Sequence, residues 1–109
     1  MMKETNKIEK IAKIKYGSVR FEFFINNEIQ NLLKEKSIET QKLIPTASFW
    51  YKSVLKELGL NHKKENELKV LFFRNTKEGF KPEKVIQSPL RIEDGEYLLK
   101  IGVKKITKR

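Results

Sequence analysis

The feature that most constrains this chain is the stretch 11–25, where two runs of alternating apolar and polar residues meet at Gly17-Ser18. A side-chain period of two is that of a β-strand. A two-residue loop that begins with glycine suits a type II′ turn, whose first central residue needs a positive φ. The turn fixes a register with Tyr16 opposite Val19, Ile14 opposite Phe21 and Ala12 opposite Phe23. One face is then apolar throughout: Ala12, Ile14, Tyr16, Val19, Phe21, Phe23 and Ile25. The other face sets Ile11 opposite Phe24, Lys13 opposite Glu22 and Lys15 opposite Arg20. A slip of one residue would reverse the two faces, so the pattern specifies its own pairing.

The apolar hairpin face needs a cover, and the next segments supply it. Asn26 or Asn27 can cap a helix in which Ile29, Leu32 and Leu33 recur at helical spacing, with Glu28 at its positive end. This helix runs to about Lys36 and extends at most into 37–40. Pro45 keeps Ile44 out of helical geometry. Thr46 or Ser48 opens a second helix with Trp50, Val54 and Leu58 on one stripe and Tyr51 and Leu55 beside it. Gly59 ends it, and Leu60 can fold back on the last turn. After a polar loop over 62–67, the run 68–74 is almost continuously apolar, as in a strand covered on both faces. Residues 76–83 form a loop, and Val85 and Ile86 a short edge strand ended by Pro89. Residues 90–93 and 96–106 pair around Asp94-Gly95, with Leu90 and Ile92 facing Leu99 and Tyr97. The expected fold is therefore α+β, an antiparallel or mixed sheet of about five strands with two helices packed on one face, in the order β-β-α-α-β-(β)-β-β.

The length, 109 residues, is that of one domain, and residues 1–7 and 107–109 are expected to fray. The absence of cysteine excludes disulfides and thiolate metal sites, and a single histidine excludes a His-rich zinc site. No apolar run reaches membrane-spanning length, and no apolar segment follows the polar N-terminal residues as in a secretory signal. The expected compartment is the cytoplasm, with no membrane partner.

No P-loop, GxGxxG, HExxH or nucleophile-elbow serine occurs, so the sequence points away from an enzyme and offers no catalytic residue, cofactor or metal site. His62 lies among Lys, Glu and Asn, the setting of a solvated surface histidine. Glu65, Glu67, Glu78, Glu83, Glu93, Asp94 and Glu96 lack metal-ligand spacing and read as surface charges among lysines.

Charge is the strongest compositional signal: 24 basic against 14 acidic residues, a net charge of +10. An AT-rich genome also raises Lys and Asn, so distribution says more than the sum. The segment 26–60 is close to neutral, whereas 100–109 holds Lys100, Lys104, Lys105, Lys108 and Arg109 with no acid. Strand alternation turns Lys13, Lys15 and Arg20 to one side of the first hairpin beside Phe24, and Lys100 and Lys104 away from Ile101 and Val103. Clustered lysines beside an aromatic ring suit nucleic acid, DNA or RNA: the cations neutralise phosphates and the ring stacks a base. The candidate contacts are Lys13, Lys15, Arg20, Phe24, Lys100, Lys104, Lys105 and Lys108. Edge-strand lysines also block aggregation, which is the plainer explanation for the same residues.

Apolar side chains on both sides of the sheet suggest a second expectation. With helices over one face, Phe24, Ile11 and one of Phe72 or Phe73 lie on the other, and an uncovered apolar face suits a homodimer or a protein partner. The alternative function is accordingly a non-enzymatic protein-interaction module, such as an inhibitor or accessory subunit from a virus or mobile element. Residues 18–60 also read strand, helix, loop, helix, which resembles a ribbon-helix-helix repressor through SVRFEFFI, NNEIQNLLKEK and TASFWYKSVLKELGL. That resemblance implies a strand paired with a second subunit's strand in the DNA major groove, with Arg20, Glu22 and Phe24 facing the bases. It covers under half the chain. The hairpin partner, the long connection over 37–45 and the residues after 60 depart from that pattern.

Overall fold

Strands β1 (Ile8–Tyr16) and β2 (Val19–Asn26) form the hairpin with the register expected next to the turn, from Tyr16 opposite Val19 to Ala12 opposite Phe23. Gly17 has φ +63°, and Ser18 is not among the positive-φ residues, the pattern of signs that a type II′ turn requires. The structure is a computed structural model that describes residues 8–74, 82–92 and 95–106. The frayed ends expected at 1–7 and 107–109, most of the loop expected over 76–83, and Asp94 lie outside these residues.

Beyond Ala12 the pairing departs from simple alternation. Lys10, not Ile11, stands opposite Phe24, because a β-bulge falls between Lys10 and Ala12. The extra residue is Ile11, which packs against the main core instead of joining Phe24 on the far face. A bulge re-aims one side chain without disturbing the pairs on either side. Here it moves an apolar group to the covered side and puts Lys10 on the other, 3.6 Å from Glu22.

The Asn26 side chain accepts a hydrogen bond from the Ile29 backbone N–H at 3.0 Å and so caps α1 (Asn27–Glu35). Ser37, with φ +56°, turns the chain out of this helix. A short 3-10 segment, Thr40–Leu43, then buries Leu43 within the long connection over 37–45. Helix α2 (Ser48–Leu58) opens at Ser48, one of the two residues expected to start it, with Ala47 before it and no side-chain cap. The Tyr51 hydroxyl donates to the Pro45 carbonyl at 2.7 Å and ties the first turn to the preceding loop. Gly59 closes α2 at φ +68°, and the Leu60 N–H returns to the Leu55 carbonyl at 2.8 Å, the expected glycine stop.

Strand β3 (Asn66–Phe73) pairs in parallel with β2, and the segment from α1 to α2 is the crossover that a parallel pair requires. Strands β4 (Lys84–Ile92) and β5 (Gly95–Lys105) complete a five-stranded mixed sheet in the order β1-β2-β3-β5-β4. The sequence expected Pro89 to end a short strand, but β4 runs through it. This is an edge strand, and proline's missing N–H can face outward there. The last hairpin is also displaced: Leu90 stands opposite Tyr97 and Ser88 opposite Leu99, two residues from the expected register. The shift is even, and Leu99, Ile101 and Val103 of β5 are buried as expected.

Both helices lie on one face. Val19, Phe21, Phe23 and Ile25 of β2, Leu68, Val70 and Phe72 of β3, and Leu99, Ile101 and Val103 of β5 form one core with Ile29, Leu32 and Leu33 of α1 and Tyr51, Val54 and Leu55 of α2. Tyr51 stands edge-on to Phe21 at 4.9 Å and stacks on Tyr16 at 5.7 Å, while Trp50 lies 6.1 Å from both Phe21 and Phe23. The apolar hairpin face therefore meets α2 as expected.

Candidate nucleic-acid interface

The open face of the sheet is divided into two halves. Towards the Gly17-Ser18 turn, successive rows across the strands hold Lys15, Arg20 and Glu67, then Lys13, Glu22, Lys69 and Lys104. At about 4.8 Å between strands, the second row spans roughly 14 Å. The next rows have apolar centres: Phe24 and Leu71 between Lys10 and Gly102, then Phe73 opposite Lys100. Each strand contributes by alternation, so residues distant in sequence become neighbours without any local motif.

Of the expected residues, Lys13, Lys15 and Arg20 are exposed on this charged half, and Lys104 joins them across β2 and β3. Lys100 is half-buried and stands in the row of Phe73, past Phe24 and Leu71, so it does not belong to the same cluster. Lys105 stands opposite the core residue Leu68 and takes the opposite parity to Lys104. At the strand end, however, Lys104 and Lys105 border a recess of about 350 Å³ with Lys69 and Ile106. Lys108 lies outside the described residues. Lys69 was missed in the sequence because the run around it reads as continuously apolar. Its signal was there: it is the only polar position between Leu68 and Phe73.

Two carboxylates interrupt the basic cluster. Arg20 reaches Glu67 at 3.4 Å, and Lys10 reaches Glu22 at 3.6 Å. The cations of these pairs are exposed and the carboxylates half-buried, and surface pairs of this kind hold their side chains only weakly, on the order of 0.2–1 kcal/mol each. Lys69 lies over the Phe24 ring, 5.0 Å from its centroid. Phe24 is thus a half-buried ring with a cation on one face, and not an open stacking platform.

The apolar half is closed within the chain. Leu71 and Phe73 are 2% and 3% exposed and pack with Phe24. Among the described residues Phe24, Leu71 and Phe73 leave no uncovered patch there, so they lend no support to a homodimer or a protein partner. The repressor-like arrangement is also excluded for β2, because β1 and β3 pair with both of its edges.

Among the described residues no group of His, Asp and Glu could hold a metal ion, and no helix is long and apolar enough to cross a membrane. His62 is exposed, as expected, with its ring against Tyr16. Comparison with protein-family models, curated proteins and solved structures finds no match to the chain.

Proposed function

We propose that this is a small non-enzymatic nucleic-acid-binding protein that contacts phosphates through the charged half of its open sheet face. The observation that supports the reading is the band Lys13, Lys15, Arg20, Lys69 and Lys104, drawn from four strands onto one side. Glu22 and Glu67 offset only part of that charge. A flat array of cations suits a phosphate backbone and reads no base sequence. Cytoplasmic residence fits such a partner.

The test is fluorescence anisotropy with single- and double-stranded DNA and RNA at two salt concentrations. Affinity should fall steeply as salt rises. Changing Lys13, Lys15, Lys69 and Lys104 to glutamine should weaken binding and flatten the salt slope by up to about 0.9 per lost contact on duplex DNA, or about 0.7 on a single strand. Unchanged affinity and slope in that variant would remove the reading.

A further inference from the structure

The charge on the open face is not spread evenly. The row nearest the turn reads Lys15, Arg20, Glu67, and the row behind it reads Lys13, Glu22, Lys69, Lys104. Glu22 of β2 and Glu67 of β3 thus stand on a diagonal, with Lys13, Lys15 and Arg20 to one side of it and Lys69 and Lys104 to the other. Each carboxylate already has a cation: Lys10 lies 3.6 Å from Glu22, and Arg20 lies 3.4 Å from Glu67. The middle of the band is therefore close to neutral. What flanks it is two lysine pairs, Lys13 with Lys15 on β1 and Lys69 with Lys104 on β3 and β5. With neighbouring strands about 4.8 Å apart, these flanks are separated by roughly 10–14 Å.

Such a face is poorly built for a single strand. Single strands are held by a continuous basic track together with open rings on which the bases stack. Here a strand laid from one lysine pair to the other would cross both carboxylates. Among the described residues the face also offers its bases no open ring. Lys69 lies over the Phe24 ring at 5.0 Å, and Phe73 is buried.

A duplex presents the complementary pattern: two phosphate backbones with a groove between them where no phosphate lies. The major groove of B-DNA is about 12 Å wide and the minor groove about 6 Å, so the lysine flanks match the wider one. An RNA duplex offers two backbones across a wide, shallow minor groove. A helix or a two-stranded ribbon can enter a groove. A face four strands across is too broad to do so, and it bridges the mouth of the groove instead. The neutral centre then lies over the groove, and each lysine pair meets one backbone.

We propose that the charged half of the open face binds double-stranded nucleic acid across a groove, with one lysine pair on each backbone, and discriminates against single strands. This rests on the phosphate-binding reading above and narrows it. The test is fluorescence anisotropy of the full chain with a mixed-sequence duplex and with each of its strands, as DNA and as RNA, over a series of salt concentrations. In DNA, in RNA or in both, the duplex should bind about tenfold or more tightly than either strand and show the steeper salt dependence, because it gives each lysine pair its own backbone. Lys13→Gln with Lys15→Gln, and separately Lys69→Gln with Lys104→Gln, should each weaken duplex binding and abolish most of the preference. Glu22→Gln with Glu67→Gln should join the two flanks into one track and raise single-strand affinity more than duplex affinity. Strands that bind the parent protein as tightly as the duplex, with steep salt dependence, overturn this inference and leave the phosphate-binding reading in place. Binding to neither overturns both. The inference also falls if either lysine pair can be removed with the duplex preference intact, or if the carboxylate variant leaves that preference unchanged.

Discussion

On the helix-covered side of the sheet, Val19, Phe21, Phe23 and Ile25 of β2 and Leu68, Val70 and Phe72 of β3 are at most 2% exposed. The alternate residues of the same two strands, Arg20, Glu22, Phe24, Glu67, Lys69, Leu71 and Phe73, face the other way and change from charged to apolar along the strands. Both faces share one backbone and one register. The difference is that the covered face needs every position apolar, because any polar group there would lose its water without gaining a partner. The open face meets that demand over half its length only, and the remainder is free to hold charge. Stability should therefore depend on one side, and phosphate binding on the charged half of the other.

The sharpest way to break this contrast is Phe23→Ala, which empties a fully buried site ringed by Trp50, Tyr51 and Phe72. Urea unfolding should show a loss of about 3–5 kcal/mol. A loss under about 1 kcal/mol would mean that the covered face is not the core.

Gly17→Ala comes next. A left-handed φ costs a non-glycine residue about 1–2 kcal/mol, and the added methyl also meets the His62 carbonyl oxygen. Unfolding should therefore show a loss of about 2 kcal/mol or more, together with shifted NMR signals over residues 60–64.

Asn26→Ala removes the cap of α1 from a buried position and should cost about 1 kcal/mol in the same assay. Tyr51→Phe removes one hydrogen bond and should cost a similar amount, about 1 kcal/mol at neutral pH. It also changes the alkaline limb. Burial raises the Tyr51 hydroxyl above its ordinary 10.0, so above that pH the unfolded chain releases a proton that the folded protein keeps. The contribution is intact below about pH 10 and is lost as pH rises through the folded value. Stability should fall less between pH 8 and pH 11 in Tyr51→Phe than in the parent.

The smallest effect on stability is expected on the open face. Lys13→Gln and Lys15→Gln should each change it by under about 0.5 kcal/mol, since both side chains are exposed. The same pair should nonetheless weaken nucleic-acid binding. A stability loss comparable to that of Phe23→Ala, with binding intact, would reverse the roles assigned to the two faces.

The amino-acid sequence by itself determined the first hairpin next to its turn, both helices and the core-facing sides of β2 and β5. These depend on local chemistry: glycine at a positive φ, asparagine at a helix N-terminus, and apolar periods of two or three to four. The tertiary structure alone decided that β3 lies parallel beside β2, that Pro89 sits within an edge strand, and that the bulge turns Ile11 into the core. It also decided that Lys69 and Lys104 stand in one row with Lys13, and that the loop holding His62 rests on the Gly17-Ser18 tip. Pairings between distant strands depend on which faces can be buried together, and no local pattern records that choice. Alternation states which way a lysine points, while its neighbours across the sheet are set by the strand order.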